Sequence, residues 1–231
     1  MKKNRVLTVE RKVLSKNDDL ADTNRKSLKA QGIIAINFIS SPGAGKTTLL
    51  EKTLEKLDGV IECAVIVGDQ STDNDSRRLM NKCKNVYQIQ TNNSCHINAE
   101  QISKALSVVL NDKTQLLFIE NVGNLICPAA FDLGEDFKIV VLSTTEGEDK
   151  PVKYPIIFSD AKGIVLTKTD LIPYLDWDIN KCREFIQQMN PKASTFELSA
   201  RTDEGMEGWI DYLKHIVAQQ GIPACERKVL I

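Results

Sequence analysis

Ser40-Ser41-Pro42-Gly43-Ala44-Gly45-Lys46-Thr47-Thr48 is the stretch of this chain best suited to holding a phosphate. Gly43 and Gly45 let the backbone curl so that successive N–H groups point inward, and Ala44 leaves the turn uncrowded. Lys46 brings a positive charge for the β/γ-phosphates, and Thr47 a hydroxyl that suits Mg²⁺. Thr48 leads into the helical Leu49-Leu50-Glu51-Lys52, whose amino-terminal dipole favours an anion. The apolar run Ile33–Ile39 comes before the turn, so the order is strand, glycine-rich turn, helix, the context that makes a P-loop credible. The strict pattern G-x-x-x-x-G-K-[ST] asks for glycine where this chain has Ser40, a small residue in its place. Nucleotide binding is the reading that accounts for both pattern and context.

Further groups can be set around that turn. Gly68-Asp69-Gln70-Ser71-Thr72-Asp73-Asn74-Asp75 follows a second apolar run, and Leu117-Phe118-Ile119-Glu120-Asn121-Val122-Gly123-Asn124 ends another. A carboxylate at a strand tip beside a P-loop is where a Mg²⁺ shell or a water-positioning group belongs, so Asp69 and Glu120 are assigned there. Asp73 and Asp75 are either switch residues or solvated loop acids. Thr167-Lys168-Thr169-Asp170 resembles the guanine-reading N/T-K-x-D element of P-loop GTPases. In that element the lysine stem packs on the ring, while the aspartate accepts from guanine N1–H and the exocyclic amine. Adenine lacks that pair of donors, and a buried Asp170 would be left unpaired against it. Ser199-Ala200-Arg201 resembles the S-A-x loop whose backbone supports guanine O6.

Soft ligands are scarce. Cys63, Cys83, Cys95, Cys127, Cys182 and Cys225 are irregularly spaced without any C-x-x-C, and only Cys95 adjoins a histidine, His96. Zinc-finger spacing is absent. The residues alone leave Cys95-His96 open between a metal role and a buried thiol beside a satisfied imidazole, and His215 reads as a surface histidine. The amino terminus is basic but polar, not a signal peptide, so reduced thiols and the cytoplasm are expected.

These groups need a scaffold. Continuous apolar runs recur at 60–67, 86–90, 116–120, 138–143, 163–167 and 195–198, as expected of strands buried on both faces of a parallel sheet. Ile102, Ala105, Leu106, Val109 and Leu110 mark a helix face between two of them, and Trp209, Leu213 and Val217 mark another near the carboxyl end. Alternation of this kind implies a three-layer α/β fold with a mostly parallel central sheet. We expect a polar arm or helix over 1–31, one P-loop domain over 32–220, and a tail over 221–231. The arm carries nine Lys/Arg against four Asp/Glu; it is either solvated or a helix from near Asn17 with a weak face of Leu20, Ala21, Leu28 and Ala30. With 231 residues there is enough chain for a core without disulfides. A net charge of -1 gives no reason to expect nucleic acid or membrane as partner, and no apolar run approaches a membrane span.

Four stretches together resemble one family: S-S-P-G-A-G-K-T-T-L-L-E-K-T-L, G-D-Q-S-T-D-N-D, E-N-V-G-N-L-I-C-P-A-A-F-D-L-G-E-D and T-E-G-E-D-K-P-V-K-Y-P. They are similar to the HypB-type GTPases, SIMIBI-class P-loop proteins that support nickel insertion into [NiFe]-hydrogenases, over about Asn17 to Val217. The resemblance implies GTP-linked homodimerisation, slow GTP hydrolysis, and partnership with a nickel-accessory protein and a hydrogenase large subunit. It also implies that Cys95, His96 and Cys127 bind Ni²⁺ or Zn²⁺ at the dimer interface, and the spacing itself does not bring Cys127 to the pair. Two thiolates and an imidazole suit either metal. No arginine finger is evident, so turnover should be on the order of 10⁻⁴ to 10⁻² per second.

The sequence departs from that family in three places. Members commonly read G-G-G before C-H, whereas this chain reads Thr91-Asn92-Asn93-Ser94, which narrows the backbone there. The amino-terminal C-x-x-C-G-C nickel site of some members is missing. Asp203 stands where glycine is common, with little consequence expected. Rival readings are a urease-type nickel GTPase, an ATP-dependent small-molecule kinase, and a metallochaperone with a degenerate nucleotide site. Against the first, that family has C-P-H at its metal site and here Cys127-Pro128 is followed by Ala129.

Overall fold

The computed structural model describes residues 3–70, 74–92 and 94–220, with side chains from Leu14 onward. The expected three-layer architecture is what the chain adopts. Among the described residues a seven-stranded sheet runs β3-β2-β4-β1-β5-β6-β7, with every pairing parallel. The strands are β1 Ile34–Ser40, β2 Cys63–Asp69, β3 Val86–Gln90, β4 Leu116–Glu120, β5 Phe137–Ser143, β6 Gly163–Thr167 and β7 Ser194–Glu197. The helices are α1 Lys3–Ala30, α2 Lys46–Leu57, α3 Asn74–Met80, α4 Ala99–Val109, α5 Cys127–Ala130, α6 Lys150–Lys153, α7 Pro155–Asp160, α8 Ile179–Met189 and α9 Met206–Gln219.

Side-chain alternation along β1 sorts the layers. Ile34, Ile36 and Phe38 join Leu49, Leu50, Phe118, Trp209 and Leu213 in a core under α2 and α9. Ala35 faces the other way, into a core with Leu28, Ile66, Ile102, Leu106 and Ile119 from α1, α4 and the sheet. A third cluster packs α7 and α8 on the β5–β6 half through Val140, Phe158, Ile164 and Ile186. The buried Trp209 is fixed by an indole hydrogen bond to Thr53 Oγ1 at 2.9 Å.

The chain leaves central β1 toward β2 on one side and later crosses to β5 on the other, so connections diverge at β1. The crevice outside the carboxyl end of such a strand is where α/β sheets bind ligands. The second apolar run, 60–67, enters its strand later than expected: Val60 is 59% exposed and β2 begins only at Cys63.

Helix α1 differs most from expectation. It starts at Lys3 rather than near Asn17, because no glycine or proline interrupts residues 3–30. It ends where Gly32 turns into a left-handed conformation, with the Ile33 N–H bonded to Leu28 O at 3.0 Å. Ala21 and Leu28 are buried against the domain, whereas Leu20 is half-buried and Ala30 exposed. The tail over 221–231, with Cys225, lies outside the described residues.

Candidate nucleotide cleft and thiol–imidazole cluster

The turn after β1 has the geometry that its glycines permit. Gly43 and Gly45 both adopt positive φ, 74° and 90°, a region that a side chain strains. Ser40 does not, which is why serine fits there; it is fully buried, and its hydroxyl receives the Lys46 ammonium at 2.9 Å. Burial pushes the Lys46 pKa down while Glu120 pulls it up. Pro42–Thr48, Gly68–Gln70, Asp75, Arg78, Glu120–Gly123 and Lys168 line a cleft of about 640 Å³.

Thr47 and Glu120 meet inside it. Thr47 Oγ1 donates to Glu120 Oε1 at 2.7 Å, while the buried Glu120 Oε2 has no hydrogen-bond partner. Burial raises the Glu120 pKa to about 7, against the pull of Lys46. An orphaned carboxylate oxygen beside a threonine hydroxyl is a donor set that suits Mg²⁺. Asp69, at the end of β2 next to β4, lines the same cleft.

The T-K-T-D segment closes over the P-loop. Thr167 Oγ1 donates to Ala44 O at 2.6 Å and Lys168 Nζ to Gly43 O at 2.8 Å. Lys168 itself has φ 60°, held by Thr144 Oγ1 bonded to its carbonyl at 2.8 Å. A second hollow, about 220 Å³, is lined by Gly45, Thr48, Lys168, Asp170, Ser199 and Ala200. The Ser199 hydroxyl accepts from the N–H groups of Arg201 and Thr202, each at 3.2 Å, which shapes that loop. Gly45, Thr48 and Lys168 line both hollows, so the two adjoin.

Cys127 comes to the Cys95–His96 pair. Its thiol sulfur receives the Cys95 S–H, Cys95 Sγ lies 3.6 Å from His96 Nδ1, and the three donor atoms fall within 4.8 Å of one another. His96 stacks on Phe131, ring centres 3.8 Å apart. Burial lowers the His96 pKa, favouring the neutral ring that binds metals, and the Cys127 contact raises that of Cys95. Burial pushes Cys63, Cys83 and Cys182 upward, Cys182 to about 12, so those thiols are inert packing groups.

One buried run of amides joins the two regions. Asn121, next to Glu120, accepts from Val122 N–H at 3.0 Å and from Ile97 N–H, beside His96, at 3.4 Å. Its Nδ2 donates to Asn37 Oδ1 at 3.3 Å, and Asn37 donates to Glu135 Oε1 at 3.0 Å. Asn124 Nδ2 reaches Cys95 O at 3.4 Å. Gly123 lies so close to the P-loop that an added Cβ would stand 3.0 Å from Pro42 Cα. The segment from Glu120 to Cys127 therefore touches both phosphate turn and thiols.

Two departures from the glycine pattern have a local reason. Asn92 and Asp203 both sit at positive φ, 47° and 73°, which asparagine and aspartate tolerate better than other side chains. Asp203 is also ion-paired with Lys56 at 2.7 Å. Asp73 and Asn93 lie outside the described residues, and the exposed His215 pairs with Gln219 on α9. Sequence reasoning passed over Arg78, which lines the cleft, donates to Thr48 Oγ1 at 3.1 Å and binds Glu51. Its signal was an i,i+3 step from Asp75 on α3. Lys150, bonded to Ser41 Oγ and paired with Glu146, was likewise not singled out.

The chain is similar to known proteins over most of its length. Residues 34–197 match the family model described as CobW/HypB/UreG, nucleotide-binding domain. The hydrogenase maturation factor HypB of Rhizobium leguminosarum bv. viciae is 46% identical over 96% of this chain and 74% of its own length. The crystal structure of hydrogenase maturation factor HypB from Archaeoglobus fulgidus superposes with TM-score 0.82 at 37% identity, covering 88% of this chain and 99% of that one. HypB from Helicobacter pylori, in complex with nickel, gives TM-score 0.83 at 33% identity over 88% and 96%.

Proposed function

The chain belongs to the CobW/HypB/UreG family, within it to the HypB hydrogenase maturation factors, and from that premise we propose a GTP-hydrolysing nickel metallochaperone. It delivers nickel during [NiFe]-hydrogenase maturation, and GTP binding with homodimerisation gates the metal. The observation that carries this reading is the single segment Glu120–Cys127, which supplies a carboxylate to the cleft and a thiol to the cluster.

Lys46 moves its ammonium from Ser40 to the β/γ-phosphates, and the N–H groups of Gly43–Thr48 cradle them. Asp170 accepts from guanine, the Lys168 stem covers the ring, and Ser199 with Ala200 support O6. Thr47, Glu120 and Asp69 would hold Mg²⁺, which would supply positive charge to offset that on the phosphoryl oxygens. Asp69 and Glu120 also orient the attacking water. Cys95, His96 and Cys127 take Ni²⁺ or Zn²⁺ as cargo, with a coordination position left for handing on. Ala129 after Cys127-Pro128 favours the hydrogenase type over the urease type.

Nickel and zinc titrations with GDP and with a non-hydrolysable GTP analogue, read together with oligomeric state, test the gate. Metal affinity should change with the nucleotide and with dimer formation; indifference to both removes the gate. GTP should bind at least about a hundredfold tighter than ATP. Equal affinity removes the base assignment.

A further inference from the structure

Helix α1 is bonded to both segments that carry the thiols and imidazole, through two asparagines seven residues apart on one helix face. Asn17 Oδ1 accepts from Ala99 N–H at 2.9 Å and its Nδ2 donates to Asp132 O at 2.8 Å. Asn24 Nδ2 donates to Ala99 O at 2.9 Å and to Leu133 O at 3.0 Å. Ala99 stands three residues after His96, and Asp132 five after Cys127. Both asparagines are buried, 6% and 2% exposed.

The loop over 131–136 lies directly on the helix. Gly134 has φ 92°, and a Cβ there would stand 2.5 Å from Ala21 O. Arg25 grips the Asp132 carboxylate with two bonds of 2.5 and 2.7 Å. Asparagine does here what an apolar residue cannot. Leucine would keep the helix docked, but it would neither satisfy the first N–H of α4 nor fix the direction of the Asp132 carbonyl. Each amide thus spans one metal-bearing segment and the other.

We propose that α1 is the positioning element of the thiol–imidazole cluster, with Asn17 and Asn24 setting how the Cys95–His96 segment stands relative to Cys127. This rests on the reading that those three residues bind nickel. None of the three residues lies on a strand, and their frame is α1 on one side and the Asn121–Asn37–Glu135 run, rooted in β1, on the other.

The test measures nickel affinity, the thiolate-to-nickel charge-transfer spectrum, GDP affinity and thermal stability of the full chain. Variants are Asn17→Leu and Asn24→Leu, with Asn17→Asp as the milder change and Leu28→Ala, at a buried apolar position of α1, as a control for docking alone. The asparagine variants should lose about tenfold in nickel affinity with a shifted charge-transfer band, GDP affinity staying within about twofold. Leu28→Ala should lower stability and leave nickel affinity and spectrum unchanged. A purely structural role predicts lower stability with wild-type nickel affinity and spectrum in the asparagine variants, and that result overturns the proposal. Should the leucine variants not fold, Asn17→Asp decides between the same two outcomes. Cys127→Ala measured alongside separates this failure from that of the nickel reading itself, since there the wild type and Cys127→Ala would bind nickel alike.

Discussion

The nucleotide cleft and the thiol–imidazole cluster are built on opposite principles. Asp69, Glu120, Lys46 and Thr167 stand at the ends of strands or one turn beyond, in a sheet whose register is fixed residue by residue, with Phe38 opposite Glu120 and Val67 opposite Glu120 on the other side. Backbone ladders hold that site. Cys95 and His96 sit half-buried on a connecting segment and Cys127 half-buried at the start of the one-turn α5, and the bonds that place these segments come mostly from side-chain amides. A ladder survives loss of any one side chain, but an amide frame does not. The cleft is therefore a fixed platform, and the cluster is the adjustable part.

The largest expected effects are a pair that should separate the two. Lys46→Ala removes the charge aimed at the phosphates and should weaken GDP and GTP by about 3 kcal/mol or more, on the order of a hundredfold. Nucleotide-free nickel affinity should stay at the wild-type value. Cys127→Ala should cost more than about a hundredfold in nickel affinity, beyond the usual loss of an outer partner, while GDP affinity holds. Calorimetric titration of each ligand against each variant reads all four numbers. If Lys46→Ala also lost nickel without nucleotide present, the two regions would not be separable.

Gly123→Ala should join what that pair separates. Gly123 does not have positive φ, so its cost is contact alone: the new Cβ meets Pro42 Cα and N at 3.0 Å, and proline backbone cannot yield as a flexible side chain would. Overpacking of this kind costs roughly 1–3 kcal/mol. The strain falls between the P-loop and the segment leading to Cys127, so nucleotide affinity and nickel affinity should both drop, each about tenfold. A change in one alone would show that the segment does not link them.

The same contrast explains what could be read from sequence. The cleft was legible because its parts are contiguous motifs at the ends of apolar runs, and strands buried on both faces announce themselves as such runs. The strand bounds fell within one residue at β1, β5 and β7, but Val60 and Ile61 were drawn into β2 although Gly59 turns the chain there. The approach of Cys127 to Cys95 came from family resemblance, because it depends on β4 inserting between β1 and β2, a pairing that no local pattern encodes. Asn17, Asn24, Asn37 and Asn121 were invisible as a frame. A buried asparagine has the same letter as a solvated one, and only its partners, up to 115 residues away, distinguish them. For that reason α1 could be read as an arm.

The smallest expected effect is the pH dependence of the nucleotide-free chain, because the two regions pull it in opposite directions. Burial lifts Glu120 from an ordinary 4.5 to about 7, so the folded state holds that proton more tightly than the unfolded one. Its contribution is fully present below the unfolded value and is lost as pH rises through about 7. Burial lowers His96 below its ordinary 6.5, so the folded state holds that proton less tightly. Its contribution is present above 6.5 and is lost as pH falls through the lowered value. Glu135, also raised by burial, adds to the first slope. Between about pH 5 and 8 the wild type should show a shallow net slope in thermal stability. Glu120→Gln should remove most of the falling component and expose a rise with pH, whereas His96→Gln should steepen the fall. Thermal melts across that range check both signs, and equal slopes in the two variants would mean that neither group carries the titration assigned to it.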